Sequence, residues 1–417
     1  MPTHDTPAPT HAPTAAPAPS GTPAPSLPAL HAQSAGAFVR GVGINMHNSY
    51  YGTGYTANVP AVESLVEKLG VSIVRDGMAT GQSNVCAEDA ALGAAGLRFD
   101  VITNVGVSAS DVASWVTCIG SQNVASFEGP NEYDISHPAS DTNWPQTLAA
   151  AQRSLDSLAH ASYPGKIVIG PSVTSSSAAA QLGSLASWLD LGNAHVYFNA
   201  YYPENGGYGA GGYGSMAYGL AVPGPIFGAK PLAVTETGYD TATGAGSVSE
   251  AVQAKYVVRM LLDYANLGVA ETIPYELIDE GGAPFSNMGL VRADLSPKPA
   301  YTALAGMLAL LHDRGSATGS IGCAMSGQTQ NVDTAFFKRS DGTYVLALWL
   351  AVASSDPNSG ADIAVPPQTV TLTFSRNLVA PSNAVYDATS TLRTTKLTAT
   401  NAIPLTVTDQ AQFVTFE

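Results

Sequence analysis

The sequence predicts an α/β protein, a (β/α)8 barrel followed by a smaller antiparallel β-sandwich, and three observations predict it. Short, continuously apolar runs alternate with amphipathic helical patterns from Phe38 to about residue 314. Runs that are apolar at every position mark strands buried on both faces, as in a parallel sheet. Eight such units in roughly 275 residues match a closed barrel in size. Beyond Gly315 the texture changes to short strand patterns and turn signals with little helix, which reads as a sandwich of roughly 100 residues.

Taken in order, residues 1–34 hold nine of the 28 prolines, interleaved with Ala and Thr, and read as an extended linker outside the fold. The barrel is expected over 35–314. Its strands are predicted at 38–46, 71–78, 99–105, 124–129, 167–172, 194–201, 232–235 and 270–275. Helices are predicted at 59–69, 111–119, 144–160, 178–190 and 248–267, with a last one near 299–311. Pro145 and Pro299 suit first-turn positions, where the missing N–H costs nothing. The sandwich, 315–417, is predicted to hold strands at 334–338, 344–351, 369–374, 384–386 and 412–416, with Asp341-Gly342 as a hairpin turn.

Composition narrows the function. The chain has 417 residues, 45% of them hydrophobic and 12% charged, enough for a large core and a second domain. A net charge of −15 argues against nucleic acid and anionic membranes as partners and fits a neutral ligand. No apolar run has the length of a membrane span. The three cysteines match no metal-ligand spacing; a disulfide plus a free thiol and three buried thiols both fit. The eight histidines form neither an HxH pair after the first strand nor an HExxH motif, so no metal and no cofactor are expected. No signal peptide is legible. The Pro-Thr-Ala linker points to a secreted or periplasmic protein, with a cytoplasmic one as the alternative.

Two stretches carry the chemistry. In Ser126-Phe-Glu-Gly-Pro-Asn-Glu-Tyr-Asp134 an apolar strand stops at Gly129-Pro130 and presents Asn131 and Glu132. In Pro231-Leu-Ala-Val-Thr-Glu-Thr-Gly238 another strand delivers Glu236 just before a Gly. In a barrel both glutamates fall at the carboxyl ends of strands, where active sites lie. Two facing carboxyl groups suit glycoside hydrolysis, one protonating the leaving oxygen while the other attacks the anomeric carbon or activates water.

With these motifs the chain resembles the clan A glycoside hydrolases, a retaining (β/α)8 superfamily that includes families 5, 30, 39 and 79. The resemblance covers 38–314, and the trailing sandwich is similar to the accessory domain of families 30, 39 and 79. It implies that Glu132, after the clan's Asn, is the acid/base and that Glu236 is the nucleophile. It further implies that Tyr197 of the His195-Val-Tyr197 run and Arg75 support that nucleophile, and that Asn131 donates to the sugar 2-hydroxyl. His47, Tyr202, Tyr275 and Glu276 are further candidates along the same face. Clan members place a Trp at the end of the eighth strand; this chain has Tyr275 there, so cellulase specificity does not transfer. The implied function is retaining cleavage of a plant or microbial oligo- or polysaccharide, most like family 39 (β-xylosidase-like) or family 5 action. The alternative is a non-catalytic carbohydrate-binding protein on the same scaffold. Retention predicts carboxyl groups about 5–5.5 Å apart, inversion about 6.5–9.5 Å.

Overall fold

A computed structural model describes residues 27–50, 52–79, 81–209, 211–281 and 286–417, so most of the expected linker lies outside the described residues. The first strand, β1 (Ala29–Ser34), lies within that expected linker and is part of the second domain. It pairs antiparallel with β10 (Gly319–Gly327) and parallel with β11 (Val332–Lys338). Its period is that of a strand: Leu30 and Ala32 enter the sandwich core while His31 faces outward. The surrounding proline density hid that alternation.

Eight parallel strands form the barrel: β2 (Gly43–Asn45), β3 (Ile73–Gly77), β4 (Arg98–Ile102), β5 (Val124–Glu128), β6 (Ile167–Ile169), β7 (Gly192–Tyr197), β8 (Leu232–Gly238) and β9 (Glu271–Pro274). They run as two ladders, β2 to β6 and β7 to β9. Bridges Ile169–Leu191 and Val42–Thr272 join the two into a ring. The predicted first strand was too long. Ser34 caps the short helix Ala35–Arg40 by accepting from the Ala37 amide, so Phe38 packs as a helical residue against Phe337, and only Gly43–Asn45 is strand.

The outer helices carry the expected stop and start signals. Val59–Leu69 is capped by Asn58 and ends at Gly70, whose φ of 81° is left-handed. Ala109–Ile119 opens with a reciprocal Ser108–Asp111 capping box. Helix Ser83–Ala94, not foreseen, has no single apolar stripe and is tied to Ala109–Ile119 by the Cys86–Cys118 disulfide. Such a link contributes roughly 2–4 kcal/mol. Cys323 is a free thiol.

The second domain curls one nine-stranded sheet around its own core, in the order β15 (Leu392–Lys396), β14 (Ser382–Tyr386), β17 (Gln412–Phe416), β12 (Tyr344–Leu350), β11, β1, β10, β13 (Gln368–Phe374) and β16 (Ala402–Val407). Strands β10, β15 and β16 were not foreseen. The first is built of small residues, β15 is polar and exposed, and β16 carries Pro404, tolerated because that strand is an edge. Helix Glu250–Asn266 lies between the domains and is buried along most of its length. Tyr256 Oη accepts the Ser354 and Ser355 amides, and Lys255 pairs with Asp409 at 2.7 Å. Arg259 donates to the Val352 and Asp409 carbonyls and forks onto Glu204, in the loop after β7; Trp349 of β12 donates to that same Glu204 at 2.6 Å. The sandwich thus grips an active-face loop as well as the barrel wall. Among the described residues no helix is long and apolar enough to cross a membrane.

Candidate active site

The fold places Glu132 just beyond β5, the fourth barrel strand, and Glu236 within the end of β8, the seventh. The turn after β5 is tightly constrained. A Cβ at Gly129 would lie 2.1 Å from Gln152 Oε1 and 2.8 Å from the Pro171 nitrogen, so only glycine fits. The chain then swings Glu132 into the left-handed region, φ 42°, its amide held by Ser172 Oγ at 3.0 Å. A non-glycine residue held there stores strain, a common feature of positions that must aim a side chain.

Arg75 of β3 is the hub, 1% exposed, and every one of its five N–H groups has an acceptor. Nε and Nη2 fork onto Glu128 at 2.8 and 2.7 Å. Nη1 donates to Asn45 Oδ1 at 2.7 Å and to Glu236 Oε1 at 2.8 Å. Nη2 also donates to Asn131 Oδ1 at 2.7 Å, which leaves the Asn131 amide nitrogen as the donor end for a ligand. Asp76, next to Arg75 in the chain, accepts from the Asn48 and Gly77 amides.

Tyr197 donates to Glu236 Oε2 at 2.8 Å. Burial pushes Glu236 up, but the charges of His195 and Arg75 and the hydrogen bonds from Tyr197 and Arg75 outweigh it, and the carboxyl titrates below its ordinary value. His195 stands between the two glutamates, Nδ1 at 2.8 Å from Glu132 Oε1 and 3.5 Å from Glu236 Oε2, with Nε2 at 3.2 Å from Thr235 Oγ1. Burial lowers this imidazole; Glu236 and Glu132 more than reverse that, and it titrates above its ordinary value. One carboxylate oxygen from each glutamate and a ring nitrogen of His195 lie within 4.8 Å of one another.

The other candidates divide. Tyr275 borders Glu236 and contacts the rings of His47 and Tyr197. His47 pairs with Glu280 at 2.6 Å and Glu276 at 3.2 Å. Burial opposes its charge, the two carboxylates override it, and His47 is raised to about 10. Glu276 is buried, with Tyr55 donating to it, and is raised to about 6 mainly by that burial. Neither Glu276 nor the nearby Asp279 is an exposed rim carboxylate: both are buried, and Asp279 pairs with Lys298. The expectation for Tyr202 is corrected. Its ring packs against the core and over the Arg259 guanidinium rather than bordering Glu132 or Glu236.

Sequence reasoning missed Glu128, Asn45 and Thr235. Glu128 is wholly buried and is the last residue of β5, directly before the strand break; a charge closing a mostly apolar strand was the available signal. Asn45 donates to the Thr235, Ile273 and Pro274 carbonyls and so fastens β2 to β8 and β9 around Arg75.

Three clusters bring potential metal ligands together: His47–Glu276–Glu280, Glu132–His195–Glu236 and Glu204–Asp263–Asp333. In the first two the histidine is already hydrogen-bonded to the carboxylates beside it, His47 to Glu280 and His195 to Glu132. In the third Glu204 is engaged by Arg259 and Trp349.

Two cavities, of about 400 and 620 Å³, share Glu132, Glu236 and Tyr275. The larger opens along β2 to β5, with His47, Tyr50, Asp76 and Asn131 in its wall. The smaller opens toward Asn199, Asp240 and Met288. Together they form a cleft crossing the glutamate pair.

Replacing Tyr197 with Phe is expected to raise the Glu236 pKa, because one hydrogen bond to the carboxylate is lost. Activity that needs ionised Glu236 disappears as pH falls through that pKa, so the acid limb of kcat/KM should move to higher pH. A pH–rate profile of the variant reads this directly.

By sequence, no family profile and no curated protein matches this chain. By structure, it is similar to a family 39 glycoside hydrolase from the gut symbiont Bacteroides cellulosilyticus WH2, with a TM-score of 0.57 and 14% identity over 91% of this chain and 82% of that one. It is also similar to a glucosidase from Croceicoccus marinus, with a TM-score of 0.60 and 11% identity over 93% and 98% of the two chains. An arabinofuranosidase aligns at a TM-score of 0.61 with 11% identity, over 94% and 100%. The fold, barrel and sandwich together, is shared with these three solved glycosidase structures.

Proposed function

We propose that the protein is a retaining glycoside hydrolase acting on a plant or microbial oligo- or polysaccharide, most like family 39 or family 5. One observation carries the reading: the glutamate pair with carboxylate oxygens within 4.8 Å, one member held ionised by Arg75 and Tyr197. So close an approach of the two carboxylates supports the retaining arrangement, about 5–5.5 Å between carboxyl groups, over the inverting one at about 6.5–9.5 Å.

In the first step Glu236 attacks the anomeric carbon while Glu132 gives its proton to the departing glycosidic oxygen, forming a covalent glycosyl-enzyme. In the second, Glu132 takes a proton from water, which displaces Glu236 and releases the sugar. His195, bonded to Glu132 and near Glu236, holds both carboxylates in place. Asn131, oriented by Arg75, donates to the sugar beside the reacting carbon. The reaction needs no cofactor. We also propose export, supported by the Cys86–Cys118 disulfide, since disulfides persist mainly in oxidising compartments.

The non-catalytic alternative shares the cleft but has no need of an ionised Glu236. Glu132→Ala separates the two. In that variant dinitrophenyl glycosides, whose leaving group needs no proton, should still be cleaved to the glycosyl-enzyme, while alkyl glycosides should lose about 10²–10⁴-fold. Equal loss on both, or no turnover by the wild type on any glycoside or glycan, would sink the enzyme reading.

A further inference from the structure

We infer that the sugar pocket beside Glu236 admits an uncharged glycone and excludes uronates, with His47, Asp76 and Glu280 setting that choice. This rests on the glycosidase reading of the cleft and names the class of sugar it takes. A buried carboxylate must meet a cation or a set of donors, or it loses its hydration without replacement. Recognition of a uronate therefore calls for an Arg or Lys with donors to spare.

This cleft has none. All five N–H groups of Arg75 already have protein acceptors: Glu128 twice, Asn45, Glu236 and Asn131. His47 turns Nδ1 to Glu280 and Glu276. The loops following the carboxyl ends of the eight barrel strands contain only two Arg or Lys residues, Arg292 and Lys298. Arg292 forks onto Glu250. Lys298 is 1% exposed and is engaged by Asp279, Thr241 and the Asn287 carbonyl. The count covers the whole sequence of those loops, so no unplaced residue can supply the missing cation.

The cations in the larger cavity's wall are already paired, Arg75 with Glu128 and Glu236 and His47 with Glu280 and Glu276, and Asp76 lies in the same wall beside His47. Tyr50, on the same wall, reports the field: its phenol is pushed up by burial and further by Glu280, Asp76, Glu276 and Glu236. For hydroxyl groups the same surface is favourable. A carboxylate has about four acceptor positions, so Asp76 has capacity left beyond the Asn48 and Gly77 amides. A neutral sugar donates to it; a uronate is repelled by it, and Glu280 adds to that repulsion by offsetting the charge of His47.

The test pairs sugars that differ only at this group: aryl β-glucoside against β-glucuronide, and galactoside against galacturonide, with xyloside as a third neutral glycone. The expected kcat/KM of the best neutral substrate exceeds that of its uronate counterpart by about 100-fold or more, since rejection leaves a buried charge unpaired. Glu280→Gln should narrow that ratio; a merely structural effect would lower both partners together and leave it unchanged. Should no aryl substrate turn over, ligand-detected NMR of methyl glycosides on Glu236→Gln reads the same preference as binding. Binding of neutral glycosides only, with no hydrolysis, keeps this inference and overturns the glycosidase reading. Uronates accepted as well as neutral sugars in either assay overturn the inference and leave the glycosidase reading in place. Silence in both overturns the inference.

Discussion

Arg75→Met is expected to cost the folded protein about 3–5 kcal/mol and to remove measurable turnover, the largest combined effect of any single change in the molecule. The stability loss is that of breaking a buried ion pair from one side. Glu128 is wholly buried and takes two hydrogen bonds from Arg75. Burial drives Glu128 up, yet the Arg75 charge and hydrogen bonds, with contributions from Asp100 and His195, bring it below its ordinary value. Asp100 beside it is pushed well up, first by burial and then by Glu128. Without Arg75 the Glu128 pKa must rise above its unfolded value. A carboxyl raised on folding favours the native state at low pH and opposes it as pH rises. The variant's deficit should therefore be largest near pH 8 and shrink toward pH 5. Denaturant unfolding at the two pH values measures this. A deficit independent of pH would mean that Glu128 is not the group left unpaired. Arg75→Lys restores a charge but not the five-fold donor pattern, so it should recover part of the stability and little of the activity.

Glu236→Ala is expected to lower kcat by about 10⁴–10⁶-fold with the fold intact, in the range seen when a nucleophile acting as part of a unit is removed. Arg75 keeps Glu128, Asn45 and Asn131 as acceptors, and Glu236 is largely buried at a cleft that water can enter, so the structural cost is small beside the catalytic one. Steady-state kinetics with an aryl glycoside, alongside a melting curve, separates the two contributions. A loss below tenfold would remove Glu236 from the reaction.

The glutamate pair was legible because its signal is local. An apolar strand that ends at Gly129-Pro130 and then shows Asn131-Glu132 states its own register, and the run into Glu236 repeats it. The resemblance to the clan then added Arg75 and Tyr197, whose partners in the structure are Glu236 and, for Arg75, Glu128. What stayed hidden depends on distant contacts. Tyr202 follows the seventh strand of the chain as a candidate rim residue should, yet Arg259, 57 positions on, draws its ring toward the sandwich. Glu276 reads as a rim carboxylate by sequence, but the fold buries it against Tyr55 and His47. Strand β1 was masked by its neighbours' prolines, and its partners lie almost 300 residues away, on β10 and β11. Barrel strands announce themselves through unbroken apolar runs; β10, β15 and β16, small, exposed or proline-bearing, have no such pattern to show.

The measurement that bears most directly on the central claim is azide rescue of Glu236→Ala with an aryl glycoside of the glycone the wild type prefers. With the nucleophile gone, azide can enter the space of the missing carboxylate and attack the anomeric carbon from that face. Double displacement through Glu236 predicts restored turnover and a glycosyl azide of inverted configuration, while the wild type gives sugar of retained configuration. Inverted sugar from the wild type, or an absence of any azide product from a folded variant, would contradict the assignment of Glu236 as nucleophile and of double displacement as the route.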